Sequence, residues 1–219
     1  MTLRNEDLIR QLAANLRPVR PAANPAAATA AWLAIVAVVI ALAVLVSGLR
    51  EDLAARLAEG FDLPQIAGAL ATGILAAFAA FQLALPERSG RWALLPIPAA
   101  VAWLATMGAG CLQDLARLGP EALRIGMSLP CLEFIAGLGV PLAVAMLWLA
   151  RHAAWLRAGP VAALGGLSAA ALASVGLSFV HDMDAAVMVL AWHGMSVLVV
   201  TGLAALLGPR LMRRGLAAP

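Results

Sequence analysis

The chain has no lysine and little charge of any kind: Asp, Glu and Arg together make up 12% of its 219 residues. A soluble domain carries roughly 25%, so too few charges are present to cover a water-facing surface. Cysteine is nearly absent as well. Two residues, Cys111 and Cys131, exclude a disulfide-scaffolded fold, and their spacing is not that of a zinc finger. No Gly-x-Ser-x-Gly, His-Glu-x-x-His, P-loop or Cys-x-x-Cys sequence occurs. No polar stretch could house a cofactor domain, so neither catalysis nor a bound cofactor is expected. What is abundant is apolar: 63% of residues are hydrophobic and the mean hydropathy is +0.92. The net charge of +3 rests on 15 arginines, most of them between hydrophobic runs. That placement orients helices in a membrane and argues against direct nucleic-acid binding.

Crossing about 30 Å of hydrocarbon takes about 20 apolar residues in a helix. Six runs qualify: 30–49, 63–85, 92–112, 129–150, 160–180 and 185–207. None contains an arginine, and Glu133 is the one carboxylate inside them. Continuous Leu/Ala-rich runs of this length predict helices, because barrel strands alternate over about 10 residues. The first run lies behind a polar, Pro-broken stretch and is too long for a signal-peptide core, so it reads as a retained span. The expected fold is all-α, a polytopic membrane protein built as a bundle of six transmembrane helices. Residues 1–29 form a cytoplasmic segment, 30–208 the membrane domain, and 209–219 a basic tail.

Arginines set the direction. Segments before the first span, between spans two and three, after span four and at the C-terminus carry Arg4, Arg10, Arg17, Arg20, Arg88, Arg91, Arg151, Arg157, Arg210, Arg213 and Arg214. The other side carries Arg50, Arg56, Arg117 and Arg124, together with most of the acids. The positive-inside rule then places both termini in the cytoplasm. Trp32, Trp92 and Trp148 fall at the inner ends, where an aromatic belt is expected. Gly165, Ala169 and Ala173 recur every four residues beside Gly166, Ala170 and Ser174, a small-residue face for close helix packing. Pro96, Pro98 and Pro141 are expected to kink spans three and four.

Two polar regions remain. In the first, Asn5 can cap a helix opening with Glu6 and Asp7, striped by Leu8, Ile9, Leu12 and Leu16 and stopped at Pro18; 18–29 then reads as a Pro/Ala linker. So short an amphipathic helix needs a surface for its stripe. The membrane surface or the bundle's own inner face is one; a groove on a soluble, basic protein is the other. In the second region, Cys111, Cys131, His181 and Asp182 share the outer level, with Glu133 just below and His193 about two turns into span six. Thiols, imidazoles and carboxylates at one depth suit a soft metal or a redox-sensing disulfide. The plainer readings are cysteines as small apolar residues and His193 as a hydrogen bond between helices.

The order of these features resembles the NrsF family, negative regulators of an extracytoplasmic-function sigma factor. The resemblance rests on NEDLIRQLAANLRPVRP (5–21), GLREDLAARL (48–57), GAGCLQD (108–114), PCLEFI (130–135) and HDMDAAVMVLAWHG (181–194). It implies a six-span anti-sigma factor of the bacterial inner membrane. The N-terminal segment would sequester the sigma factor, and an envelope, redox or heavy-metal signal would release it. On that footing Glu6, Asp7, Leu8, Ile9, Leu12 and Leu16 are the expected partner-binding residues. Cys111, Cys131, Glu133, His181, Asp182 and His193 are the expected sensor. The family's response is linked to a cysteine pair; Cys131 resembles one member, and His181 stands where the other is expected. A switch here would therefore use Cys111 with Cys131, or a mixed Cys/His metal site. The competing class is a small transporter with Glu133 and His193 as an ion path. It calls for ionisable groups along several spans, and these are few. An intramembrane thiol oxidoreductase would need more cysteines. The oligomeric state is open.

Overall fold

The structure is a computed structural model that describes residues 5–14, 23–60, 62–123, 129–151, 155–180 and 186–214. The described residues contain helices and no strand. Helix α1 (Asn5–Ala14) precedes the bundle; α2 (Pro25–Ser47) leads through a short α3 (Leu53–Glu59) to α4 (Asp62–Ala84). A 3-10 turn, Gly90–Leu94, enters α5 (Ile97–Leu118), and α6 (Leu129–Ala150), α7 (Ala158–Ser178) and α8 (Ala186–Arg214) complete the chain. Six of these segments are long and apolar enough to cross a membrane, as the runs predict.

The ends differ from the sequence reading for identifiable reasons. The side chain of Asn24 accepts the Ala26 N–H at 2.9 Å and Pro25 takes the first helical position, so α2 begins five residues early and consumes part of the predicted linker. Pro96 and Pro98 do not kink a helix interior. They sit at the start of α5, in a turn that needs no donor there. Pro141 does lie within α6. Helix α8 runs through Pro209 to Arg214, because Met212 is buried in the core and holds the last turns against the bundle. The tail expected from 209 is thus helical at its start.

Helix α7 is the axis. Between Val161 and Leu177 every residue but Ala163 and Leu167 is buried, and α7 packs against α8, α4, α6 and α2. The small residues explain the depth of contact. A Cβ on Gly166 would lie 2.6 Å from Ala204 Cβ and 3.0 Å from Thr201 Cα, and one on Gly208 would lie 2.5 Å from Ala162 Cβ. Positions 166 with 204 and 162 with 208 keep a constant sum, so α7 and α8 run antiparallel. This is the close approach predicted from the small-residue stripe, and in hydrocarbon it is dispersion rather than water exclusion that rewards it.

The helices alternate, which defines two sides. On the near side, where α2 begins and α8 ends, Arg157 Nη1 donates to the Arg88 carbonyl at 2.6 Å. On the far side, where α2 ends, the Arg50 N–H donates to the Phe179 carbonyl at 3.0 Å. Of the three tryptophans expected at the near interface, Trp148 is exposed with the Arg151 guanidinium 4.0 Å from its ring centroid. Trp92 packs edge-on to Phe78 with centroids 5.6 Å apart. Trp32 is instead fully buried, its Nε1 donating to Ser168 Oγ on α7 at 3.1 Å. It locks helices and is no interfacial anchor.

Candidate functional site

Helix α1 is short, opens with Glu6 and Asp7 at the positive end of its dipole, and buries none of its residues. Leu8, Ile9 and Leu12 are 44%, 64% and 62% exposed. An ion pair on it, Glu6 with Arg10 one turn later at 4.0 Å, is solvent-exposed and contributes little. Leu16 lies outside the described residues. The stripe predicted from the sequence is therefore formed as far as Leu12 and is not covered by the bundle.

The far side holds the second region. Cys111 is a half-buried free thiol in the last third of α5. Cys131 is in the first turn of α6, and Glu133, one residue past Leu132, points to an exposed position. His193 is 5% exposed within α8. His181, Asp182 and the Cys131 side chain fall outside the described residues, and no group of three or more His, Cys, Asp or Glu gathers among those described. Glu133 and His193, the residues of the transporter alternative, differ in environment, one exposed and one buried.

What the far side does build is a clasp. After α2 the chain turns at Gly48 (φ +84°), a left-handed conformation that glycine adopts without steric cost. Arg50 follows, 8% exposed. Its Nε and Nη2 donate to the two oxygens of Asp52 at 2.6 and 2.9 Å. Arg56 repeats the arrangement on Asp62, at 3.0 and 2.9 Å. Both are planar, two-bond guanidinium–carboxylate pairs, the strongest form this interaction takes. The Arg50 hydrogen bond holds the Asp52 carboxyl below its ordinary value, against partial desolvation. With Arg50 also tied to Phe179, this segment fastens the ends of α2, α4 and α7 together.

The family model described as negative regulator of sigma F matches residues 12–213. The chain belongs to the NrsF family. Its place in the NrsF family makes it a negative regulator of a sigma factor, and a sigma factor is its partner. No curated protein and no solved structure matches the chain. The NrsF match spans all six candidate spans and begins inside α1, so Leu12 and Leu16 fall within it while Glu6, Asp7, Leu8 and Ile9 lie just ahead. The two Arg–carboxylate pairs were missed in the sequence. The signal available was GLREDLAARL itself: arginines on the side that should be poor in them, each with an acid close by.

Proposed function

We propose that this NrsF-family chain sequesters an extracytoplasmic-function sigma factor at the bacterial inner membrane, through α1. The observation that carries the reading is the uncovered stripe of Leu8, Ile9 and Leu12 on a helix that buries nothing. A helix of this length is marginal in water, and a groove on a partner supplies the burial that the bundle does not. Glu6 and Asp7 then meet basic groups of the sigma factor, groups that otherwise serve DNA or polymerase. The arrangement is that of a binding protein rather than a catalyst.

The near side is cytoplasmic in this reading. Arginine distribution supports that, with eleven arginines on the near side in the sequence and four on the far side. A periplasmic stress signal acting on the Cys111, Cys131, Glu133, His181, Asp182 and His193 region releases the sigma factor by shifting helix packing. Passing from mostly bound to mostly free takes about 5 kcal/mol of differential binding, within reach of a disulfide or thiolate–metal bond. Cell fractionation tests the tether. The sigma factor should sediment with membranes containing the full chain and appear in the soluble fraction when residues 5–14 are deleted. Membrane retention with the deletion would refute it.

A further inference from the structure

We infer that the loop entering α5 and the turn before α7 form a binding site for the phosphate headgroup of one anionic phospholipid of the near leaflet. Two segments distant in sequence meet there. Arg157, the last residue before α7, reaches across the near face, and its Nη1 donates to the Arg88 carbonyl at 2.6 Å. The receiving loop is itself fixed. The Arg88 N–H donates to the Leu85 carbonyl at 3.2 Å, the Arg91 N–H to Ser89 Oγ at 3.3 Å, and the Trp92 N–H to the Ser89 carbonyl at 3.3 Å. Trp92 then seats the loop edge-on against Phe78. Arg88 and Arg91 are exposed and Arg157 is half-buried, so three arginines are held at one place on the near face.

No carboxylate neutralises them. Among the described residues Arg88 and Arg91 join no ion pair, and Arg157 is hydrogen-bonded to a carbonyl. Glu87, the one acid of the loop, is exposed and joins no pair either. The far side is the contrast, where Arg50 and Arg56 each hold a carboxylate through two bonds. Like charges repel at short range, so an anion is what the near cluster lacks. Position decides which anion. Arg88 lies just past the end of α4 and Arg157 directly before α7, and both helices are candidate spans, so their side chains reach the headgroup layer. Phosphates stand there at all times, and a guanidinium fork binds one through two parallel hydrogen bonds. A zwitterionic headgroup would bring its own cation into a site that is already positive; a phosphatidylglycerol headgroup does not. This site is independent of the sigma-factor reading.

The test uses the full chain released from nanodiscs of equimolar phosphatidylglycerol and phosphatidylcholine, with the retained lipids identified by native mass spectrometry. The parent should keep phosphatidylglycerol in several-fold excess over phosphatidylcholine. Arg88→Gln/Arg91→Gln should return that ratio to the bulk value. Both side chains are exposed, and the Arg88 carbonyl that Arg157 uses stays in place, so the bundle should keep its melting temperature. Arg4→Gln/Arg213→Gln removes the same charge from the same side, at the two ends of the chain, and should preserve the excess. No excess in the parent would overturn the inference, as would an excess that survives Arg88→Gln/Arg91→Gln. Equal loss in both double variants would also overturn it, since a general attraction of basic protein to anionic bilayer would then be sufficient.

Discussion

In hydrocarbon an indole N–H has no water to fall back on, and for Trp32 the partner is Ser168, deep between α2 and α7. Ser168→Ala leaves that donor buried and alone, which costs about 1–3 kcal/mol; the variant should melt lower than the parent in detergent. Trp103 is the contrast. It is as well buried, but among the described residues its Nε1 meets no acceptor. Trp103→Phe should therefore cost about 1 kcal/mol less than Trp32→Phe in chemical denaturation, the difference being one hydrogen bond. Asp52 gives a pH dependence with a definite sign. Its carboxyl is held below the ordinary value of 3.8, first by the hydrogen bonds from Arg50. A depressed folded-state value means the clasp contributes fully above 3.8 and is lost as pH falls below it. Melting temperature should drop with acidification below that point in the parent and fall less steeply in Asp52→Asn, which already lacks the charge. None of these pairings was legible beforehand. Trp32 sits where an interfacial belt is expected, and only the packing of α2 on α7 at Ser168 shows that it turns inward.

Helices were the legible element. The number of spanning helices follows from length and hydropathy, because a membrane offers few other solutions to an unpaired backbone, whereas the short α3 was not foreseen. The departures came from single residues whose local chemistry outweighs hydropathy: the Asn24 cap at the start of α2, and Met212 packing at the end of α8. The small-residue stripe on α7 was also readable, and it makes a sharp prediction. Gly166→Val places two methyl groups where Ala204 Cβ and the Thr201 backbone already stand, and overpacking of this kind costs about 1–3 kcal/mol or more. Gly194, with open space around its Cα, is the control: Gly194→Ala should be tolerated in the same stability assay. The candidate sensor was less legible. Its residues share a level in sequence, but whether side chains on α5, α6 and α8 converge depends on helix rotation, which hydropathy leaves undetermined. Glu133 and His193 show this, one turned outwards and the other in.

At the scale of the whole molecule, the six spans connect a near side that displays an uncovered helix to a far side fastened by two Arg–carboxylate pairs. The far-side clasp ties α2, α4 and α7 together, and α2 is the span nearest in the chain to α1. The claim on which the account turns is that α1 itself carries the affinity for the sigma factor. Burying two leucines is worth about 3–6 kcal/mol, so Leu8→Asp/Leu12→Asp should weaken binding by at least about 100-fold. The deciding measurement is the dissociation constant of the purified sigma factor for the full chain in nanodiscs, with and without this double substitution. The account predicts that loss while the thermal melting of the bundle is unchanged, since α1 buries nothing in it. An unchanged dissociation constant would contradict the account and move the binding surface to another part of the molecule.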